Sequence, residues 1–108
     1  MNHAPRLILL ENTFLPDAHA NLFAVLAEDE DGDTLTYTWS WHGPASECGQ
    51  DQGPGPGGEA TRIYYHGECS AALEAQTYVT VTVSDGKGGV VSHTLGLRDE
   101  GSFDLTGQ

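Results

Sequence analysis

Two stretches of this chain alternate polar and apolar residues without a break, and that period confines them to half-buried β-strands. Residues 34–42, TLTYTWSWH, set Leu35, Tyr37, Trp39 and Trp41 on one face and Thr34, Thr36, Thr38 and Ser40 on the other. Residues 77–84, TYVTVTVS, do the same with Val79, Val81 and Val83 against Thr80, Thr82 and Ser84. Successive side chains of a strand point to opposite faces, so a period of two with threonine on the wet side marks an antiparallel sheet covered on one face only. Each valine or larger side chain on the dry face contributes about 1.5–3 kcal/mol when fully buried.

The other segments arrange themselves around these two. Asp85-Gly86-Lys87-Gly88-Gly89 is a turn, because glycine supplies the positive φ of hairpin connections, and Val90–Leu97 returns from it with Val91, His93, Leu95 and Leu97 on one face. Arg6–Glu11, Leu22–Glu28 and residues 60–66 read as further strands, and Gly43–Gly58, which contains GPGPGG, as a long surface loop. No segment carries a helical period. In 108 residues, this pattern predicts one all-β domain, an immunoglobulin-like sandwich of about seven antiparallel strands in two sheets. It spans residues 1–97, with 98–108 as a C-terminal extension or linker.

Leu22–Glu28 departs from the half-wet pattern. Phe23, Val25 and Ala27 form one face, but Leu22, Ala24 and Leu26 make the other apolar too. Such a face is either covered or an interface. The tail Phe103-Asp104-Leu105 alternates like a short strand and is the segment expected to cover it, in the same chain or a neighbour. Leu22, Leu26, Phe103 and Leu105 are therefore the candidate interface residues.

Sixteen acidic residues against four basic ones give a formal charge of -12. Such a surface repels nucleic acid and anionic lipid, since phosphate binding depends on Lys and Arg. No apolar run approaches the roughly 20 residues that cross a bilayer, so membrane insertion is not expected. The opening MNHAPRLILLEN holds only Leu7–Leu10 as an apolar run and does not read as a secretion signal. Part of the acidity is concentrated in Glu28, Asp29, Glu30, Asp31 and Asp33. Crowded carboxylates repel one another, and a hard cation with several oxygen ligands relieves the repulsion. The spacing is not that of an EF-hand: counted from Asp29, the sixth position is Thr34 and the twelfth Ser40. A solvated turn whose Asp side chains bond neighbouring N–H groups accounts for the same residues.

Cys48 and Cys69 are the two cysteines. An even pair in a small β domain fits one disulfide closing a loop of about 20 residues, worth roughly 3 kcal/mol, and implies an oxidising environment. His42, Cys48, His66 and Cys69 could instead form a zinc quartet, although H-x5-C and H-x2-C are not usual pairings. Trp39 reads as the core tryptophan between the sheets. Trp41, Tyr64 and Tyr65, nearer the loops, are candidates for an aromatic platform that stacks on sugars. Nothing reads as catalytic: Gly53–Gly58 lacks the Lys-Ser/Thr and following helix of a phosphate loop, and no serine sits in a nucleophile elbow.

AEDEDGDTLTYTWSW (27–41) and TYVTVTVSDGKGGVVS (77–92) together resemble the PKD-like and cadherin-like immunoglobulin-type repeats of bacterial and phage surface proteins. The opening Asn2-His3-Ala4-Pro5 is similar to the N-x-A-P segment that begins those repeats. Tyr78, out of phase with Val79, departs from their pattern, and residues 43–75 have no counterpart. The resemblance implies a calcium site at Asp29, Asp31, Asp85 and Asn2, with Asp33 beside them. It also implies a non-catalytic structural or adhesion module of a surface or secreted protein, which calcium would rigidify. An assembly subunit such as a phage capsid decoration or fibre protein is the alternative, with a virion surface in place of a cell surface. A carbohydrate-binding module is the third. The expected partners are other protein domains or assembly subunits, or glycans on the third reading.

Overall fold

The two alternating stretches pair with each other in the computed structural model, which describes residues 2–44, 48–55 and 58–106. Strand β3 (Thr36–His42) runs antiparallel to β6 (Tyr78–Ser84), and β7 (Val90–Gly96) runs antiparallel to β6 on its other side. The register puts Trp39 and His93 on either side of Val81, so the apolar parity of all three strands falls on one face. Val79, Val81 and Val83 are buried there, while the threonines and serines face out. Tyr78, out of phase with the valines, is exposed.

The second sheet has five strands in the order β4-β5-β2-β1-β8: β1 is Arg6–Leu15, β2 Ala20–Glu28, β4 Gln50–Asp51, β5 Thr61–Tyr65 and β8 Gly101–Asp104. All its pairings are antiparallel. The chain is thus an all-β sandwich of two antiparallel sheets. Strand β1 runs on past Glu11 to Leu15 because the Pro16–His19 turn joins it to β2 as one long hairpin. His19 closes that turn at φ 52°, a left-handed backbone uncommon outside glycine. A register shift between Leu7 and Leu9 turns both Leu7 and Leu10 inward. They join Phe23, Val25, Tyr64, Leu95 and Leu97 in the core. Trp39 lies there too, its indole N–H donating to the Glu59 carbonyl at 2.9 Å.

Three expectations need correction. One helical turn, α1 (Ala71–Glu74), follows Ser70, whose Oγ accepts from Leu73 N–H at 3.3 Å. Four residues are too few to show a period. The segment Gly43–Gly58 is not surface loop throughout: β4 (Gln50–Asp51) lies within it, and Gln52 N–H donates to Ile63 O at 3.0 Å and Ile63 N–H to Gly53 O at 3.2 Å, prolonging the β4–β5 pairing. The tail does not cover the outer face of β2. It forms β8 beside β1 and turns Leu105, 5% exposed, into the core, with Phe103 packed against it. Leu105 is therefore not an interface residue, and the sandwich extends beyond residue 97. What lies over β2 is Gly55, where a Cβ would come 3.0 Å from Leu22 Cδ1 and 3.4 Å from Ile63 Cγ1. Leu22 is half-buried beneath it, and Leu26 remains 55% exposed.

Strand β8 also fixes where the chain leaves. It runs antiparallel to β1, and Leu105 N–H donates to Ile8 O at 2.9 Å. The chain therefore departs toward the end of the sandwich by which it arrived.

Cys48 and Cys69 are joined, their Cα atoms 5.2 Å apart across a separation of 21 residues. The bond rules out their part in a zinc quartet and fits an oxidising environment. Closing a loop of that length is worth about 3 kcal/mol on the chain-entropy estimate. The double variant Cys48→Ser/Cys69→Ser is expected to melt at least about 10 °C lower, followed by circular dichroism at 218 nm or thereabouts.

Candidate functional site

The acidic run becomes a tight turn between β2 and β3, and its geometry comes from its own side chains. Asp29 Oδ2 accepts from Asp33 N–H at 2.6 Å and Oδ1 from Asp31 N–H at 3.4 Å, while Gly32 takes the positive φ that the bend requires. The opening segment crosses this turn. His3 N–H donates to Asp31 Oδ2 at 2.6 Å, and the His3 ring Nδ1 lies 3.2 Å from Asp31 Oδ1. One residue earlier, Asn2 Nδ2 donates to Asp85 Oδ2 at 3.0 Å and to the Lys87 carbonyl at 3.3 Å.

Asp85 is buried and organises the β6–β7 turn: its Oδ1 accepts from Lys87 N–H at 2.7 Å and Gly89 N–H at 2.9 Å. Gly89 has to be glycine, since a Cβ there would fall 2.3 Å from Asp85 Oδ2 and 2.8 Å from Ala4 Cα. Lys87 reaches back to the acidic turn, its Nζ 2.9 Å from Asp33 Oδ1. Three segments distant in sequence thus meet at one end of the sandwich.

The electrostatics follow from these bonds. The Asn2 amide, then the Lys87 N–H, hold the Asp85 carboxyl below the usual range. The His3 backbone N–H and then its ring do the same for Asp31, and the His3 ring is raised in return, first by its bond to Asp31 and then by the charge of Glu30. The bond to Asp33 raises Lys87.

Of the five residues expected to hold a cation, Asp29, Asp31 and Asp33 converge, each offering a carboxylate oxygen within 4.8 Å of the others. Asp33 Oδ2 is buried and has no hydrogen-bond partner among the described residues. Asp85 and Asn2 lie alongside but are bonded to each other and to the turn, which makes them a latch beside the carboxylates. Three carboxylates with a buried free oxygen suit a hard cation such as calcium, which takes six to eight oxygens, water included. Lys87 is the residue that sequence reasoning missed here. A lone lysine in a glycine turn gives no signal until the fold brings it to Asp33.

The opposite end carries a buried polar cluster. His66 bonds Glu74 through Nδ1 and lies 2.6 Å from Asn21 Oδ1 through Nε2. Asn21 Nδ2 donates to Asn12 Oδ1 at 2.7 Å and to Glu100 at 3.2 Å. Asn12 Nδ2 donates to the carbonyls of Leu97 at 3.1 Å and Asp99 at 2.9 Å. Arg98 approaches the second Glu74 oxygen at 3.3 Å, and His19 stacks on the His66 ring at 4.9 Å. His66, like the cysteines, is thereby accounted for without zinc.

The aromatic residues considered for sugar stacking are not assembled into a platform. Tyr64 is buried, Trp41 packs on it at 4.7 Å and donates to Asp51 at 2.9 Å, and Tyr65 takes the opposite parity of β5. Asp51 also accepts two bonds from Arg62, at 2.7 and 2.9 Å. Against the desolvation that would raise it, these bonds hold its carboxyl low.

Comparison of the chain with protein-family models, with curated proteins and with solved structures finds no match.

Burial, then the charge of Glu74, pushes the Tyr64 hydroxyl up to about 12. A folded value above the ordinary value of 10 means that the native state holds the proton longer than the unfolded chain does. Its contribution to stability is complete below pH 10 and lost as pH rises through about 12. Denaturant melts are expected to weaken across that window, and Tyr64→Phe is expected to flatten the loss.

Proposed function

We propose that this chain is a non-catalytic structural or adhesion module of a secreted or surface-exposed protein, with one end set by calcium. The observation that carries the reading is Asp33 Oδ2, a buried carboxylate oxygen without a partner among the described residues, inside a group of three converging aspartates. In water such an atom would be hydrated, and burying it unpaired costs energy that a bound cation offsets. Asp29, Asp31 and Asp33 would supply the ion's protein oxygens. The ion would draw Asp33 away from Lys87 and brace the turn against which Asn2 and His3 are bonded. Calcium would thereby stiffen the joint through which the chain arrives.

The disulfide agrees with an extracellular location.

Calcium at about 5 mM is expected to raise the melting temperature several degrees beyond magnesium. A site of about 0.1 mM affinity, ordinary for extracellular modules, gains about 2 kcal/mol at that concentration. Asp33→Asn is expected to abolish the difference, and Lys87→Met, which removes the competing cation, to enlarge it. Equal responses to the two ions would end the calcium reading.

A further inference from the structure

Strand β7 leaves one edge of the three-stranded sheet open. Leu97 N–H donates to Thr77 O at 2.9 Å and Asp85 N–H to Gly89 O at 3.1 Å, bracketing the ladder at both ends. Hydrogen-bonded positions alternate in an antiparallel pair, so the main-chain groups of Val91, His93 and Leu95 face β6. Those of Val90, Ser92, Thr94 and Gly96 point the other way. Gly96 is capped, its N–H donating to Asp99 Oδ2 at 3.2 Å and its carbonyl accepting from Asp99 N–H at 3.0 Å. The N–H and C=O groups of Val90, Ser92 and Thr94 have no partner among the described residues.

Natural edges are usually protected by lysine, proline, a bulge or a short strand. β7 has seven residues, VVSHTLG, with no proline and no Asp, Glu, Lys or Arg, and its register is unbroken. The other edges differ. β4 and β8 are short, and β8 carries Asp104. β3, the other edge strand of this sheet, is tied through its inward side chains to the opposite layer, the Trp39 indole donating to the Glu59 carbonyl and the Trp41 indole to Asp51 of β4.

We propose that β7 is a self-association edge that pairs antiparallel with β7 of a second copy. Two arguments select that occupant. The first is self-complementarity: about a two-fold axis through Ser92, each Ser92 faces its mate and each Val90 faces Thr94 of the partner copy. Every free N–H and C=O of the three residues is then used, and the interface is isologous. The second is charge. Copies carrying -12 each repel one another, so they approach best where carboxylates are absent. The outward positions of β3, β6 and β7 bear hydroxyls, aromatic rings, histidine, glycine and aliphatic carbon, with no Asp, Glu, Lys or Arg. Val90, 57% exposed, meets a threonine across the axis, a favourable β-branched pair. The paired sheets form one continuous six-stranded surface. The pairing makes no use of the acidic turn and so does not rest on the calcium reading.

The test is solution mass by light scattering from about 10 μM to about 1 mM, with EDTA present throughout. The chain is expected to pass from one to two copies over that range. Ser92→Glu, which sets two carboxylates against each other at the axis, is expected to weaken association about tenfold or more. Thr38→Glu, on the same sheet face but on β3, is expected to leave it within about twofold. Should Ser92→Glu fail to fold, Ser92→Cys replaces it: mild oxidation is expected to give a covalent two-chain species, whereas Thr38→Cys does not. A chain that stays single at the highest concentration overturns the proposal. So does a dimer indifferent to both Ser92 variants, whose interface must lie elsewhere.

Discussion

The buried cluster around His66 and Glu74 is the interaction through which the less regular parts of this molecule hold together. The two sheets make their own ladders, but the connections between them do not. The Pro16–His19 turn, α1 and the segment from Leu97 to Glu100 all meet at His66, Glu74, Asn21 and Asn12. Polar groups taken out of water cost free energy unless their donors and acceptors are satisfied. Here they are, by the carbonyls of Leu97 and Asp99, by Glu100 and by Arg98. Cys69 N–H donates to His66 O at 3.1 Å, so the disulfide is fastened to the same cluster. One disruption there would loosen turn, helix and covalent loop at once.

The other end obeys opposite physics. Like charges are brought together, and they are held by bonds to backbone N–H groups and to two side chains of the opening segment. The far end has its counter-charges built in. The near end has Lys87 on Asp33 and Arg6 on Glu28, and a buried oxygen left over. The two ends of the sandwich thus differ in how completely their polar groups are matched.

Much of the sheet core was legible because burial follows parity. Leu35, Tyr37, Trp39 and Trp41, and the valines of β6, declare their inward face by a period that no helix shares. The pairing of Cys48 with Cys69 was legible by count. Convergence of Asp29, Asp31 and Asp33 was legible because they are neighbours in one turn, but the roles of Asp85 and Asn2 were not. Spacing cannot tell a ligand from a side chain that spends its oxygens on backbone N–H groups. Leu105 misled for a related reason. Period two assigns a residue to a face without saying which sheet the strand will join, and β8 docked beside β1. The bond between His66 and Glu74 gave no signal, and His66 was offered to zinc instead, because two polar residues eight apart become partners only when α1 folds back.

The return of β8 alongside β1 has a mechanical consequence. Were the two ends of the chain pulled apart, tension would reach the β1–β8 pair from the same side. The rungs from Leu9–Asp104 to Asn12–Gly101 would open in succession, like a zipper, instead of resisting together in shear. Leu105 would leave the core first. On the arriving side, the pull would fall on Asn2 and His3, whose bonds to Asp85 and Asp31 would bear it before any strand moved. The disulfide and the His66 cluster, at the far end, would carry none of that load. On that side, resistance to traction would therefore reside in a few side-chain bonds beside the three aspartates.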